Sequence, residues 1–322
     1  MKKIELHLHF DGSIDVGYAS WLMKRDVKDE LISKNDSSLN EYLKKFDLPI
    51  KLLQEPYDVE MFAYFLAKEL EKDEVIYAEI RFCPLFHVEK VKLREIVDAM
   101  LDGFAQVPAV KINLIFCMMR QFSEEKNMEI IELTREYLGH GVVAIDLAGD
   151  ELKYKTHTFK KLFTLINEYK IPFTIHAGEV DDYTSVSSAL DFGAKRIGHG
   201  ISSIQSQEVI DRLINDRVVL EICPTSNLNT KAVDRVDRHP IKELMAKGVL
   251  CTINTDNRTV SNTTLDKEYF LLQNMLGFTD EDFRMCNLNA IEAAFISDEE
   301  KDELRKKLDL DEWHFEQVQF MS

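Results

Sequence analysis

The chain has 322 residues, 45% of them hydrophobic, with 57 aspartates and glutamates against 40 lysines and arginines and a formal net charge of −17. Its length suits a barrel-sized domain, and an acidic balance without a basic patch excludes nucleic acid and anionic membranes as expected partners. The five cysteines, Cys83, Cys117, Cys223, Cys251 and Cys286, make no CxxC motif. They read as reduced core residues of a cytoplasmic protein. No apolar run reaches transmembrane length, and the N-terminus leads straight into a strand pattern, so no signal peptide is expected.

Taken in order, short β-rich runs alternate with longer amphipathic stretches. The runs cover residues 4–9, 75–82, 110–118, 142–147, 171–176, 196–199, 218–223 and 250–255. Helical periodicity occupies 93–106, 124–138, 159–169, 206–215 and 241–247. Strands alternating with helices imply parallel pairing. Eight such units imply an α/β fold of the closed (β/α)8 TIM-barrel type. An open doubly wound sheet rarely uses eight strands in so regular an order, and no glycine-rich phosphate fingerprint follows the first run. Two segments exceed the repeat. Between the first and second runs, helices are expected over 21–34, 39–46 and 59–72, forming an insertion at the barrel mouth. After the eighth run, helices are expected over 264–275, 280–295 and 298–308, the last highly charged and exposed. No linker interrupts the pattern, and residues 1–322 read as a single domain.

The first run carries His7 and His9, which point to one face of a strand. Two imidazoles so placed supply half of a tetrahedral zinc site, with zinc–nitrogen distances of roughly 2.0–2.1 Å. His176 ends the fifth run, His199 ends the sixth, and Asp256 ends the eighth run's motif. The C-terminal ends of barrel strands ring one mouth, so residues distant in sequence converge there. One such residue arises readily by chance; a set of them at the ends of the first, fifth, sixth and eighth runs points to a catalytic metal centre.

The succession HLHFDGS, DLAGDE, HAGE, GHG, CPTSN and NTDN resembles the adenosine deaminase family of the amidohydrolase superfamily, over essentially the whole chain. The resemblance implies a barrel that holds one zinc per chain and hydrolyses adenosine, and 2′-deoxyadenosine with it, to inosine and ammonia in purine salvage. It implies His7, His9, His176 and Asp256 as zinc ligands. Such a set leaves a position for water, whose pKa the metal lowers. It implies Glu179 as the acid that protonates purine N1, His199 as the base that orients the attacking water, and Asp256 as a second holder of that water. For the substrate it implies His9 beside the base, the Gly149 main-chain N–H on purine N3 and Asp11 on the ribose 5′-hydroxyl. Leu39, Leu43 and Phe46 resemble an apolar gate over the ribose.

One position departs from the commoner family pattern of two successive aspartates: Asn257 follows Asp256. The second residue meets purine N7, an acceptor, and an asparagine amide donates at any pH whereas an aspartate must first be protonated. Adenine deaminase, and deamination of an N6-substituted or otherwise modified adenosine, stand as alternatives because they share HAGE and GHG. A catalytically inactive binding member of the fold is the non-enzymatic alternative. The expected partner is a small purine nucleoside, and the oligomeric state is not legible. His140, His157, His239 and His314 fall in turns or helices and read as surface residues.

Overall fold

The computed structural model describes residues 1–33, 42–89 and 91–308. Its strands are β1 Lys3–His9, β2 Val75–Phe82, β3 Lys111–Met119, β4 Val142–Ala148, β5 His176–Ala177, β6 Arg196–His199, β7 Val219–Ile222 and β8 Leu250–Ile253. They pair in parallel as two four-stranded sheets, β1-β2-β3-β4 and β5-β6-β7-β8. Main-chain hydrogen bonds join the sheets at both seams. At one seam the Ile145 N–H donates to the Pro172 carbonyl and the Thr174 N–H to the Ile145 carbonyl. At the other the His9 N–H donates to the Asp256 carbonyl and the Asp256 N–H to the His7 carbonyl. The strands thus make the ring of a (β/α)8 barrel, as expected.

The seams explain where strand ends depart from the sequence pattern. The fifth run, expected over 171–176, is formally a strand only at His176–Ala177. Pro172 has no N–H to give to a ladder, and pairing with β4 shrinks to the Ile145–Phe173 bridge. Across the other seam side chains replace main-chain partners. The Leu6 N–H donates to Asn254 Oδ1 at 3.0 Å, and the Thr255 N–H donates to Glu5 Oε1 at 3.1 Å.

The insertion after β1 differs in detail from the expected helices. The stretch 21–34 is replaced by helices Val16–Met23 and Lys28–Leu31. Asp15 caps the first through the Tyr18 N–H at 2.6 Å, and Lys24, at φ 53°, ends it in the left-handed region. Within 39–46, Phe46 lies in a 3-10 turn, Lys44–Phe46, that runs into helix Asp47–Leu52. Leu39 and His314 lie outside the described residues. Helix Pro56–Lys72 follows, burying Val59, Phe62, Ala63, Leu66, Ala67 and Leu70. That is the i, i+3, i+4 stripe of an amphipathic helix.

Among the described residues three helices follow β8, Leu265–Leu276, Asp280–Ala293 and Asp298–Lys307. The last has a Ser297–Glu300 capping box, an acidic first turn and a basic last turn, all of which favour the helix. Its charge predicts full exposure, but the helix is docked on one side. Leu304 is buried against a cluster containing Ile4, Leu6, Tyr77 and Ile291. No helix among the described residues is long and apolar enough to cross a membrane.

Apolar side chains fill the layer between strands and helices, but the barrel interior beneath the mouth is charged. Arg81 donates to Asp146 Oδ2 at 2.9 Å and to Glu221 Oε2 at 2.8 Å. Arg196 donates to Glu221 Oε1 at 2.6 Å and also pairs with Glu79. All five side chains are buried. Breaking one partner out of such a network costs about 3–5 kcal/mol, because it leaves an uncompensated buried charge. This network forms a rigid floor for the groups above it.

Candidate active site

The strand ends converge as the barrel topology requires. His7 and His9 come from β1, His176 from β5, and Asp256 from the segment leaving β8. One ligand atom from each lies within 4.8 Å of all the others. His7 Nε2 and His9 Nε2 each stand 3.4 Å from Asp256 Oδ1, and His9 Nε2 is 3.1 Å from His176 Nε2. The two main-chain bonds between Asp256 and β1 fix this spacing. His7 is fully buried, yet its Nε2 has no hydrogen-bond partner among the described residues. A buried polar atom aimed at two imidazoles and a carboxylate is what a divalent metal would satisfy, and three histidines with one carboxylate suit such an ion.

The ligands are themselves held. His7 Nδ1–H donates to Glu221 Oε2 at 2.9 Å, and His176 Nδ1 lies 2.9 Å from Asp146 Oδ2. The His7 bond turns its Nε2 toward the mouth and places a proton on Nδ1, and the nearby Asp146 carboxylate favours the same tautomer at His176. Burial alone would raise the carboxyls of Glu221 and Asp146. Arg196 and Arg81 outweigh it for Glu221, His176 and Arg81 outweigh it for Asp146, and both stay ionised. Burial likewise opposes ionisation of Asp256, but His7, then His9 and His199, hold its carboxyl well below the usual range. Burial keeps His9 neutral, the form that ligates.

Glu179 and His199 face the same mouth, with His199 Nε2 3.8 Å from Glu179 Oε2. Burial, and after it the charges of Asp256 and Glu151, push the Glu179 carboxyl up to about 8. Glu151 anchors the loop bearing Glu179. Its carboxylate accepts the main-chain N–H groups of Gly178, Glu179, Val180 and Asp181 at 2.6–2.9 Å. His199 and Asp256 are both in the left-handed region, at φ 61° and φ 60°. Such non-glycine residues store strain of order 1–3 kcal/mol and cluster where a side chain must be aimed.

A cavity of about 460 Å³ opens over these groups and is lined by His9, Asp11, Gly149, Glu179, His199 and Asn257 among others. Leu43 and Phe46 line its outer part. Gly149 sits at φ +108°, and a Cβ there would come within 2.7 Å of Gln121 Oε1. Asp11 is buried, with Oδ1 unpartnered among the described residues, and burial raises its carboxyl to about 7. Asn257 donates from Nδ2 to Tyr42 Oη at 3.0 Å, and Tyr42 in turn pairs with Ser261. Asn257 Oδ1 lies over Gly12, where a Cβ would fall only 1.8 Å from it; no other residue fits there.

Every sequence-derived site residue among the described residues therefore reaches this one mouth or its rim. The residues missed are those one step behind. Asp146 and Glu221 carry a legible signal, an acidic residue inside an otherwise apolar strand. His239 was misread: it is buried at 4% exposure, not on the surface, whereas His140 and His157 are exposed. A turn flanked by charged residues gave no hint that it packs inward.

Residues 2–311 match the family model described as adenosine deaminase. Adenosine deaminase from Haemophilus ducreyi is 42% identical over 319 residues, 92% of this chain and 93% of that protein. Adenosine deaminase from Clostridium perfringens is 38% identical over 322 residues, covering 95% and 97%. Among solved structures, the N6-methyl-AMP deaminase of Arabidopsis thaliana superposes with a TM-score of 0.84 at 28% identity, covering 97% of each chain. Adenine deaminase from Arthrobacter aurescens gives 0.84 at 23% identity, over 96% and 98%, a likeness of fold. With matches of this extent and identity, the chain belongs to the adenosine deaminase family.

Proposed function

We propose that the chain catalyses zinc-dependent hydrolytic deamination of adenosine, and of 2′-deoxyadenosine, to inosine and ammonia. The observation that carries this reading is the convergence of His7, His9, His176 and Asp256 beside Glu179, whose carboxyl desolvation pushes up to about 8. A zinc ion held by those four residues would supply the Lewis acidity that makes water nucleophilic near neutral pH. The chain's own groups do the rest. Glu179 delivers its proton to purine N1, so that the ring accepts the attacking oxygen at C6 without building up an anion. His199 and Asp256 orient that oxygen. Asp256 takes one proton from the attacking water and passes it to N6; the C6–N6 bond then breaks as the C6 hydroxyl gives its proton back to the Glu179 carboxylate, and ammonia leaves. The Gly149 N–H meets N3, Asp11 meets the 5′-hydroxyl, and Leu43 and Phe46 cover the ribose.

The charge of the cavity favours a nucleoside over a nucleotide. Among the described residues, Asp11, Asp47, Asp150 and Glu151 line it with Lys153 as the only lysine or arginine. A 5′-phosphate would meet carboxylates and no arginine fork. Turnover of adenosine, deoxyadenosine, adenine, AMP and N6-methyl-AMP tests the assignment. Adenosine is expected to lead in kcat/KM, and preference for adenine or a nucleotide would overturn it.

Asp146→Asn and Glu221→Gln are expected to weaken zinc binding by about 10–100-fold, the usual effect of losing a group that orients a ligand. Competition against a chelator measures it. Unchanged affinity in both variants would show that the two carboxylates only hold the barrel floor.

Asn257 has two amide hydrogens, of which Tyr42 takes one; the other would donate to purine N7. Losing one buried neutral hydrogen bond and stranding its partner costs about 1–3 kcal/mol, roughly 5–150-fold. 7-Deazaadenosine, with C–H in place of N7, is therefore expected to be poorer than adenosine by that factor. Asn257→Ala should erase the difference. Equal discrimination by wild type and Asn257→Ala would exclude the contact.

A further inference from the structure

Behind the catalytic pair lies a line of hydrogen bonds that ends in the main chain. The Ile241 N–H donates to His239 Nδ1 at 3.2 Å. His239 Nε2 is 3.1 Å from Asn227 Oδ1. Asn227 Nδ2 is 3.1 Å from His199 Nδ1 and 3.3 Å from Glu179 Oε1. His239, Asn227 and His199 are buried at 4%, 0% and 1% exposure, so water does not break the line. Nothing in the mechanism above uses Asn227 or His239.

Taken alone, each link could run either way, because imidazole tautomers and amide flips are interchangeable in outline. The Ile241 N–H is not interchangeable: a main-chain amide only donates. It makes His239 Nδ1 an acceptor, so the proton of that neutral ring is on Nε2. That N–H makes the facing Asn227 atom Oδ1, an acceptor, and turns Nδ2 toward His199 and Glu179. One hydrogen of Nδ2 then faces His199 Nδ1, which must be bare, and the other faces Glu179 Oε1. The Thr230 hydroxyl lies 2.9 Å from Glu179 Oε1 and 3.1 Å from the Ser226 carbonyl, which compete for its single hydrogen.

We infer that Asn227, locked by His239 and the Ile241 amide, is a positioning residue that assigns both catalytic protons: to Nε2 of His199 and to Oε2 of Glu179. The inference rests on the deaminase reading for its catalytic meaning and on geometry alone for its tautomers. With the proton on Nε2, His199 enters the reaction as a hydrogen-bond donor to the attacking oxygen and steadies the charge that develops there. It does not act as the proton acceptor that the family resemblance suggested. With Oε1 engaged by the Asn227 N–H, the acid proton of Glu179 is left on Oε2, the oxygen nearer His199 Nε2.

The test is two-bond proton–nitrogen correlation spectroscopy on zinc-loaded protein labelled with ¹⁵N-histidine, each signal assigned by single replacement. His199 and His239 are expected as Nε2–H tautomers, and the metal-ligating rings His7 and His176 as Nδ1–H. Asn227→Asp offers only acceptors, so His199 should switch to Nδ1–H, with kcat falling by about 10²-fold or more while KM stays near wild type. His239→Gln keeps an N–H for Asn227 Oδ1 and should stay within about threefold of wild type. His239→Phe removes it and should cost about 5–150-fold, with both tautomers visible at His199. Should Asn227→Asp fail to fold, the Gln and Phe pair at 239 still decides. A wild-type His199 found as Nδ1–H overturns the inference whatever the substrate proves to be, and so does equal activity of His239→Gln and His239→Phe. Correct tautomers in a protein without adenosine turnover would instead count against the deaminase reading.

Discussion

His7→Ala and His176→Ala are expected to lose both bound zinc and adenosine turnover while remaining folded. Each replacement removes one of four ligand atoms that lie within 4.8 Å of one another, and a three-ligand remnant binds far more weakly. The fold should survive because the groups behind the ligands keep their other partners. Without His7, Glu221 still accepts from Arg81, Arg196 and Thr174. Without His176, Asp146 still accepts from Arg81. Elemental analysis is expected to give about one zinc per wild-type chain and little in either variant, with His140→Ala, at an exposed position, as the unaffected control. Chelation should abolish wild-type turnover, and added zinc should restore it there alone. Full turnover in metal-free protein would refute the metal centre.

The fold was legible because the barrel repeats one pattern eight times, and a repeated pattern tolerates errors at its ends. β2 and β6 match their sequence runs residue for residue. β5 fails where Pro172 cannot join a ladder, a local fact that the apolar run 171–176 hides. The insertion was the least legible part, since its helices are short and their ends depend on single residues such as Lys24 at φ 53°. Helix Asp298–Lys307 reads as exposed because its charges dominate the pattern, yet one residue, Leu304, docks it.

The site was legible to one layer of depth. The residues proposed to hold the metal stand at or just past strand ends, and strand ends can be counted off the sequence. Residues that aim them obey no such rule. Asp146 and Glu221 stand inside β4 and β7, where alternation could have marked them. Asn227 stands on a short helix, Pro224–Asn229, and His239 in extended backbone just after the 3-10 turn Val236–Arg238. Only the packing of those two segments against each other joins them. Asn257 shows the same limit: its identity suggests a donor for N7, but its engagement with Tyr42 crosses from the β8 loop to the insertion, a contact that no local pattern announces.

Glu179→Gln is expected to lower kcat for adenosine by about 10²–10⁴-fold, the usual worth of general acid catalysis, with KM nearly unchanged. Glutamine has the shape of a protonated glutamate. Its Oε1 still accepts from Asn227, and its N–H still reaches purine N1, but an amide N–H cannot transfer its proton. The variant therefore separates hydrogen bonding to N1 from protonation of N1. The pH dependence follows from burial, which holds the carboxyl at about 8 in the folded chain against an ordinary 4.5. A raised carboxyl is active below its folded pKa, so turnover should fall on the alkaline side as Glu179 ionises. A bound zinc dication would pull that limb to lower pH, because positive charge favours the carboxylate. The glutamine variant should lack the limb altogether. Stability supplies a second readout in metal-free protein. Below pH 4.5 the carboxyl is protonated both folded and unfolded, and the two proteins should melt alike. Between 4.5 and about 8 only the unfolded wild type releases the proton, so wild-type stability falls with rising pH relative to Glu179→Gln. The gap in melting temperature should widen across that window and stay constant above it. Turnover by Glu179→Gln within about twofold of wild type, a loss too small for general acid catalysis, would sink the assignment; a lost kcat without a widening gap would keep the residue in the mechanism but deny that burial holds its proton.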